Sequence, residues 1–250
     1  VNLRWDAAPA GVSVIFTSRI GGVSEGPFTS LNLGALTADT ADAVRENRRR
    51  AVEAAGGDPT ESTMAWQVAG SIVREVTAEP ASGRFLEPGI EPFPKSDGLV
   101  TSLAAKPLVL LAADCLPIAV ARRDGSRLAV LHAGWQGLLA GICERGAAEV
   151  GGDAVAMIGP GAGPCCYEVK DDVGVPLQQR FGEAAVRSGR ADLWFAARVA
   201  LERAGVERVE VAGRCTICNP LEYFSHRRDH GRTGRQGVVG LLARDVRVAV

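Results

Sequence analysis

The sequence predicts an α/β (α+β) fold, a layered domain with mixed β-sheets flanked by helices, and three observations carry the prediction. Apolar runs of strand length alternate with segments of helical spacing, the pattern of strands covered by helices. Two runs are joined across Asp124–Gly125, a tight-hairpin dipeptide, so at least one strand pair is antiparallel. Other runs follow one another only through a helical segment, which favours parallel pairing, and the two connection types together require mixed sheets. A composition of 46% hydrophobic and 23% charged residues suits a folded chain, and 250 residues supply a full core for one domain, taken as residues 1–250.

In chain order, residues 12–17 alternate weakly and read as a first strand. They lead into 18–34, a Gly-, Ser- and Asn-rich loop longer than a connection needs, and such loops in compact domains commonly serve function. Residues 40–55 follow with helical spacing: Ala41, Val44, Ala51 and Val52 mark the apolar side, Asp39 or Thr40 caps the start, and Gly56 and Gly57 end it. Arg45, Arg48, Arg49 and Arg50 read as its solvated face. Residues 64–76 read as a strand pair or bent strand broken at Gly70, and 81–93 as a Pro- and Gly-rich loop. Residues 97–101 lead to three apolar runs at 107–113, 116–121 and 127–131. Residues 135–150 form one helix with Leu138, Leu139, Ile142 and Ala147 on a face. A buried strand at 154–158 ends in the loop 159–164. Helices are expected at 171–181 and 191–204, the second stopped by Gly205, with strands at 206–211 and, in the tail 238–250, at 246–250.

A net charge of −1 provides no field to draw nucleic acid, so none is expected as a partner. No apolar stretch reaches the about 18 residues that span a bilayer. The closest, 107–121, is interrupted by Asp114 and Pro117, which argues for a soluble protein without a membrane partner. The six cysteines do not read as the framework of a small secreted domain, and the chain is expected to carry no signal segment. Reduced thiols in the cytoplasm are the expectation.

The chemistry concentrates in ADCLPI at 113–118 and LHAGWQG at 131–137. Cys115 and His132 stand at the ends of apolar runs, where α/β proteins keep reactive groups. Their separation of seventeen residues is no zinc-finger spacing, so two core residues remain an open reading beside a metal or catalytic pair. As a functional pair they either hold Zn²⁺ with a third ligand and a water, or work as thiolate and base. Asp114, a charge in apolar surroundings, must be paired or put to use. The glycine-rich stretch 159–169, GPGAGPCCYEV, offers either an anion cradle of backbone N–H groups or a tight turn. Adjacent Cys165 and Cys166 suit no mutual disulfide. The Cys215–Cys218 C-x-x-C lacks a second such pair, and it reads as incidental rather than a structural zinc site. The Arg- and His-rich stretch 224–235 suits an oxyanion or simply faces solvent.

Together, TSRIGGVS and SLNLG within 17–34, QVxG at 67–70, SDGLVT at 96–101, ADCLPI, HAGWxG, IGPGxGPCCYEV and the terminal CT, FSHRRD and TGR segments resemble the YfiH-type laccase-domain family, in order from about residue 12 onward. That family has been labelled multicopper polyphenol oxidase and, later, purine nucleoside phosphorylase. The resemblance implies a zinc site built from a QVHG histidine, the ADCLP cysteine and the HAGW histidine. Cys115 and His132 match, but Ala69 stands at the third ligand position, and Gln136 replaces an Arg. Cys166, His226 or water are candidates to complete the shell. Copper fits less well than zinc, since three copper types need many histidines and this chain has only His132, His226 and His230.

The resemblance further implies phosphorolysis of adenosine, inosine, guanosine and methylthioadenosine, with adenosine deamination. The partners would be a small-molecule nucleoside and phosphate, and the state a monomer or small homo-oligomer. Arg19 and Arg228 are the expected phosphate ligands, Asn32 and Gln67 polar substrate contacts, and Cys115 and His132 the catalytic and metal pair. Two other readings stand beside it: hydrolysis of a muramyl-peptide precursor, and a silent nucleoside-binding relative, for which Ala69 speaks.

Overall fold

The computed structural model describes residues 2–77, 84–88 and 93–243. The elements are β1 (Leu3–Arg4), β2 (Val12–Phe16), α1 (Ala41–Ala54), β3 (Thr63–Met64), β4 (Val73–Glu75), β5 (Gly98–Thr101), β6 (Leu108–Ala112), β7 (Leu116–Arg122), β8 (Leu128–Ala133), α2 (Trp135–Ala140), α3 (Ile142–Val150), β9 (Ala154–Ile158), α4 (Asp171–Phe181), β10 (Val186–Arg187), β11 (Arg190–Ala191), α5 (Leu193–Arg203), β12 (Arg208–Val211) and β13 (Gln236–Leu242). One sheet has the order β1-β2-β13-β6-β3 and the other β12-β9-β7-β8-β5-β4, with β10 and β11 as a small ribbon. Both large sheets are mixed, as the connections predict: β3–β6, β4–β5 and β9–β12 are parallel, the other pairs antiparallel.

Side chains alternate faces along a strand, and here that period builds four layers. Ile118, Val120, Ala129 and Leu131 face outward from the second sheet onto Leu138, Ile142, Leu177 and Ala197 of α2–α5. Their sequence neighbours Ala119, Ala121, Leu128 and Val130 face the other way, onto Val14, Phe16, Leu110 and Val238 of the first sheet. Ile15, Val109 and Val239 then turn from the first sheet onto Ala51 and Val52 of α1. Strands buried on both faces read as unbroken apolar runs, which explains 107–113 and 116–121.

The structure corrects several sequence expectations. Residues 64–76 are no strand pair, because β3 and β4 belong to different sheets. The helix expected at 135–150 is broken at Gly141, whose φ of +89° ends α2 and starts α3. The basic face of α1 is not wholly solvated: Arg48 is buried, with Nε donating to the Leu33 carbonyl (2.9 Å) and Nη1 to that of Phe85 (2.6 Å). Arg45, Arg49 and Arg50 do form surface ion pairs, with Asp42, Glu46 and Glu53. The tail holds a long central strand, β13, that the sequence reading did not anticipate, and the candidate strand at 246–250 lies outside the described residues. Part of the 81–93 loop also lies outside them. Among the described residues, no helix is long and apolar enough to cross a membrane.

Candidate active site

The two sheets are joined directly where β6 of one runs into β7 of the other through residues 113–115. Asp114 makes the crossing with φ +89°, a conformation L-residues avoid. Its contacts hold it there. Oδ1 accepts from Thr216 Oγ1 (2.7 Å), Oδ2 from the Arg227 N–H (2.7 Å), and its carbonyl from the Ala162 N–H (2.8 Å). The buried carboxyl is therefore hydrogen-bonded on both oxygens, and it anchors the crossing. Cys115 emerges at the head of β7. In the β7–β8 register Leu116 faces Ala133 and Pro117 faces His132, which brings Cys115 beside His132 and Gly134. A Cβ at Gly134 would lie 2.8 Å from the Cys115 sulfur, so this glycine makes room for the thiol.

Asp97, fully buried just before β5, organises the rest. Its Oδ1 accepts from His132 Nδ1 (2.9 Å) and from the Ala69 N–H (2.9 Å), and its Oδ2 accepts from the N–H groups of Val68 (3.2 Å) and Gly70 (2.7 Å). Burial alone would raise this carboxyl, but the His132 ring and the Gly70 and Val68 amides hold it below its usual range. Burial likewise disfavours a charged imidazole, yet the adjacent Cys115 sulfur and Asp97 outweigh it and push His132 up to about 10. With Nδ1 committed to Asp97, Nε2 is the ring nitrogen left for other partners, and the Cys115 side chain lies in hydrogen-bonding reach of the ring.

Cys115 and His132 line a cavity of about 640 Å³ together with Trp66, Gln67, His226 and Arg235. Trp66, Phe93, Leu36 and Met64 give it apolar walls, and Arg48 and Arg235 bring positive charge. Arg235 is half-buried. Burial lowers its pKa, while Asp114 and Cys115 nearby act the other way.

The sequence-predicted contacts divide. Gln67 lines the cavity, but its amide pairs with the Leu111 backbone, donating to the carbonyl (2.6 Å) and accepting from the N–H (2.8 Å). Asn32 is buried and builds the loop 32–39 with Thr37 and Asp39, while its Oδ1 accepts from the Arg235 N–H (2.8 Å). Arg19 donates to the Thr29 and Pro220 carbonyls and stacks on Phe224. Arg228 spends its guanidinium on Asp229 and on the carbonyls of Thr216, Ile217 and Tyr223. Arg19, Asn32 and Arg228 thus lie outside the cavity lining, with polar atoms bonded to protein. The anion-cradle reading of 159–169 is also corrected, since the N–H groups of Gly159, Gly161, Ala162 and Gly163 already bond Pro117 O, Arg214 O, Asp114 O and the Cys215 sulfur.

Sequence reasoning missed Asp97 as the orienting carboxylate, although SDGLVT places a charge at the head of an apolar run. It missed Arg235 because Arg228 sits in a denser basic stretch. The incidental reading of the C-x-x-C is corrected too: Cys215 and Cys218 meet Cys165 and Cys166, with all four sulfurs within 4.8 Å of one another.

The donor set around Cys115 and His132 does not complete the zinc site that the resemblance implies. A catalytic zinc takes three protein ligands. Ala69 offers none, Cys166 is drawn into the four-cysteine group, and His226, although it lines the cavity, does not gather with Cys115 and His132 into a ligand group: among the described residues the four cysteines are the sole such gathering of three or more.

Residues 13–243 match a family described as multi-copper polyphenol oxidoreductase laccase. A purine nucleoside phosphorylase of Xylella fastidiosa is 41% identical over 246 residues, covering 91% of each chain. The purine nucleoside phosphorylase YfiH of Escherichia coli is 35% identical, covering 91% of this chain and 92% of its own. Among solved structures, YlmD from Geobacillus stearothermophilus superposes with a TM-score of 0.89 at 33% identity, covering 97% and 96% of the two chains. Bacillus licheniformis YfiH gives 0.86 at 31% identity, covering 92% of each.

Proposed function

Since the chain belongs to the YfiH-type, multi-copper polyphenol oxidoreductase laccase family, we propose that it cleaves purine nucleosides with phosphate. The names of its relatives support this reading, and one observation carries it: an imidazole fixed by a buried carboxylate opens beside a thiol into a cavity with aromatic walls and a cationic side. The purine, from adenosine, inosine, guanosine or methylthioadenosine, packs against Trp66 and Phe93. Arg235, whose Nη1 donates to the carbonyls of Thr233 (3.1 Å) and Gly234 (3.0 Å), holds phosphate with its remaining N–H groups, and the buried Arg48 adds positive charge behind it. Phosphate oxygen forms a bond to C1′ of the ribose as the C1′–nitrogen bond breaks. The purine leaves with the bonding pair and takes a proton from His132 Nε2, giving ribose 1-phosphate and free base. Asp97 keeps the ring oriented, and the Cys115 sulfur stabilises its charged form.

No step is assigned to zinc or copper, because the donors present do not complete the site. Adenosine deamination and muramyl-peptide hydrolysis rest on a metal-activated water, so Ala69 weighs against both. Six free thiols accord with a cytoplasmic enzyme.

Phosphate-dependent release of hypoxanthine from inosine tests the proposal. The expected result is release that stops without phosphate and falls by about 100-fold in His132→Ala. Nucleoside binding without turnover, in both this chain and an Ala69→His variant loaded with zinc, would overturn it and leave a nucleoside-binding protein.

A further inference from the structure

Two loops that the proposed reaction does not use bring four thiols together. Cys165 and Cys166 follow the glycine-rich turn after β9. Cys215 and Cys218 follow β12, the parallel neighbour of β9, and a bridge between Gly161 and Cys215 ties the loops. The four sulfurs lie within 4.8 Å of one another, and those of Cys165 and Cys218 are 3.6 Å apart. In a tetrahedral site with metal–sulfur bonds of about 2.3 Å, ligand sulfurs sit about 3.8 Å apart. The observed grouping needs a contraction of about an ångström at most to reach that geometry.

The surroundings suit a thiolate cluster. The Gly163 N–H donates to the Cys215 sulfur (3.3 Å), and the backbone N–H groups of Ile217 and Cys218 converge on the same atom. The loop after the first cysteine of a C-x-x-C thus wraps its sulfur in donors. Burial opposes ionisation at Cys215, yet these amides hold its pKa below the usual thiol value. Burial pushes Cys165 and Cys166 up.

The geometry points to a structural zinc site made by Cys165, Cys166, Cys215 and Cys218, separate from the Cys115–His132 pair. Zn²⁺ binds four thiolates, the thiols giving up their protons to solvent. Two of the ligands come from each loop, so the ion staples the turn after β9 to the turn after β12. The staple backs the catalytic crossing: Thr216, between two ligands, donates to Asp114 Oδ1, and Ala162 donates to the Asp114 carbonyl. It rests on the cysteine geometry alone and does not depend on phosphorolysis.

The test is elemental analysis of the full chain purified under reducing conditions, with Cys115→Ser/His132→Ala and Cys165→Ser/Cys218→Ser variants in parallel. The expected result is one equivalent of zinc, kept by the first variant and lost by the second. The protein with Co²⁺ in place of zinc should show intense visible d–d bands and thiolate-to-metal charge transfer. In Cys165→Ser, a change at an exposed position that serves if the double variant fails to fold, those charge-transfer bands should weaken. Zinc that follows Cys115 and His132 instead would overturn the site. So would zinc no higher than in the Cys165→Ser/Cys218→Ser variant, or an intact mass lower by the hydrogens of a disulfide among the four.

Discussion

At the scale of single residues, the site turns on Asp97, which accepts three backbone N–H bonds and one from His132. An amide in its place can accept at one end only. Whichever way the introduced carboxamide turns, its NH₂ faces donors, so Asp97→Asn should cost about 2–4 kcal/mol of stability. If the NH₂ meets His132, the ring must accept at Nδ1 and carry its proton at Nε2 in a fixed neutral form. The expected loss in kcat is about 100-fold. A kcat unchanged at a temperature where the variant is folded would remove Asp97 from its orienting role. Ala69 shows the other side of the same clamp. It sits at φ +59°, where L-residues other than Asn, Asp and His are rarely found. The Asp97 bonds impose that backbone, and alanine gains nothing from it. Ala69→Gly should therefore stabilise the protein by about 1 kcal/mol, read as a Tm higher by about 2–4 °C. A lower Tm would mean that the methyl group contributes packing worth more than the strain.

At the scale of elements, how much could be read depended on whether an element's cause is local. The α1 boundaries were legible because Thr40 caps its start through the Ala43 N–H and Gly56, at φ +86°, stops it. The β7–β8 hairpin was legible because Gly125 adopts φ +72° in its turn, and that pairing brought Cys115 to His132. By contrast, β13 is buried on both faces and carries Gly237 and Gly240, which read as breaks. Gly237 is there because a Cβ would lie 2.1 Å from the Leu110 carbonyl of the partner strand, a tertiary cause with no local signal. The four-cysteine group was hidden for a related reason, since its halves belong to loops after parallel strands and no sequence spacing joins them. The 224–235 loop yielded its charge but not its geometry. Arg228 turns inward to Asp229, whose carboxyl burial would raise but whose bonds to Arg228 hold it below the usual range. A depressed folded-state pKa stabilises above the ordinary aspartate value near 4 and is lost as pH falls through the lowered one. The stability advantage over Asp229→Asn should thus be full at neutral pH and shrink under acid. Denaturant titrations of both proteins at neutral and acid pH check this, and an advantage that grows toward low pH would contradict it.

At the scale of the whole molecule, the cavity lies where the chain leaves one sheet for the other, and both layers supply its walls. Met64, Leu111 and Ala112 come from the first sheet and its borders, and Cys115 and His132 from the second, while Arg48 reaches in from α1. A ligand there contacts parts that come together only in the folded chain, so its binding energy adds to global stability. For a ligand at 100 times its dissociation constant the gain is about 2.7 kcal/mol. In a chain of this length that gain corresponds to a Tm rise of about 5–10 °C. Guanosine alone should give part of the rise, through Trp66 and Phe93. Phosphate should give a further part, through Arg235. Replacing Arg235 by Met keeps the aliphatic stem over the cavity and removes the charge, so it should abolish the phosphate increment and leave the guanosine increment in place. A phosphate increment that survives in Arg235→Met would move the oxyanion site elsewhere on the cavity wall, with Arg48 next in line. Loss of both increments together would mean that Arg235 shapes the cavity instead of reading the anion.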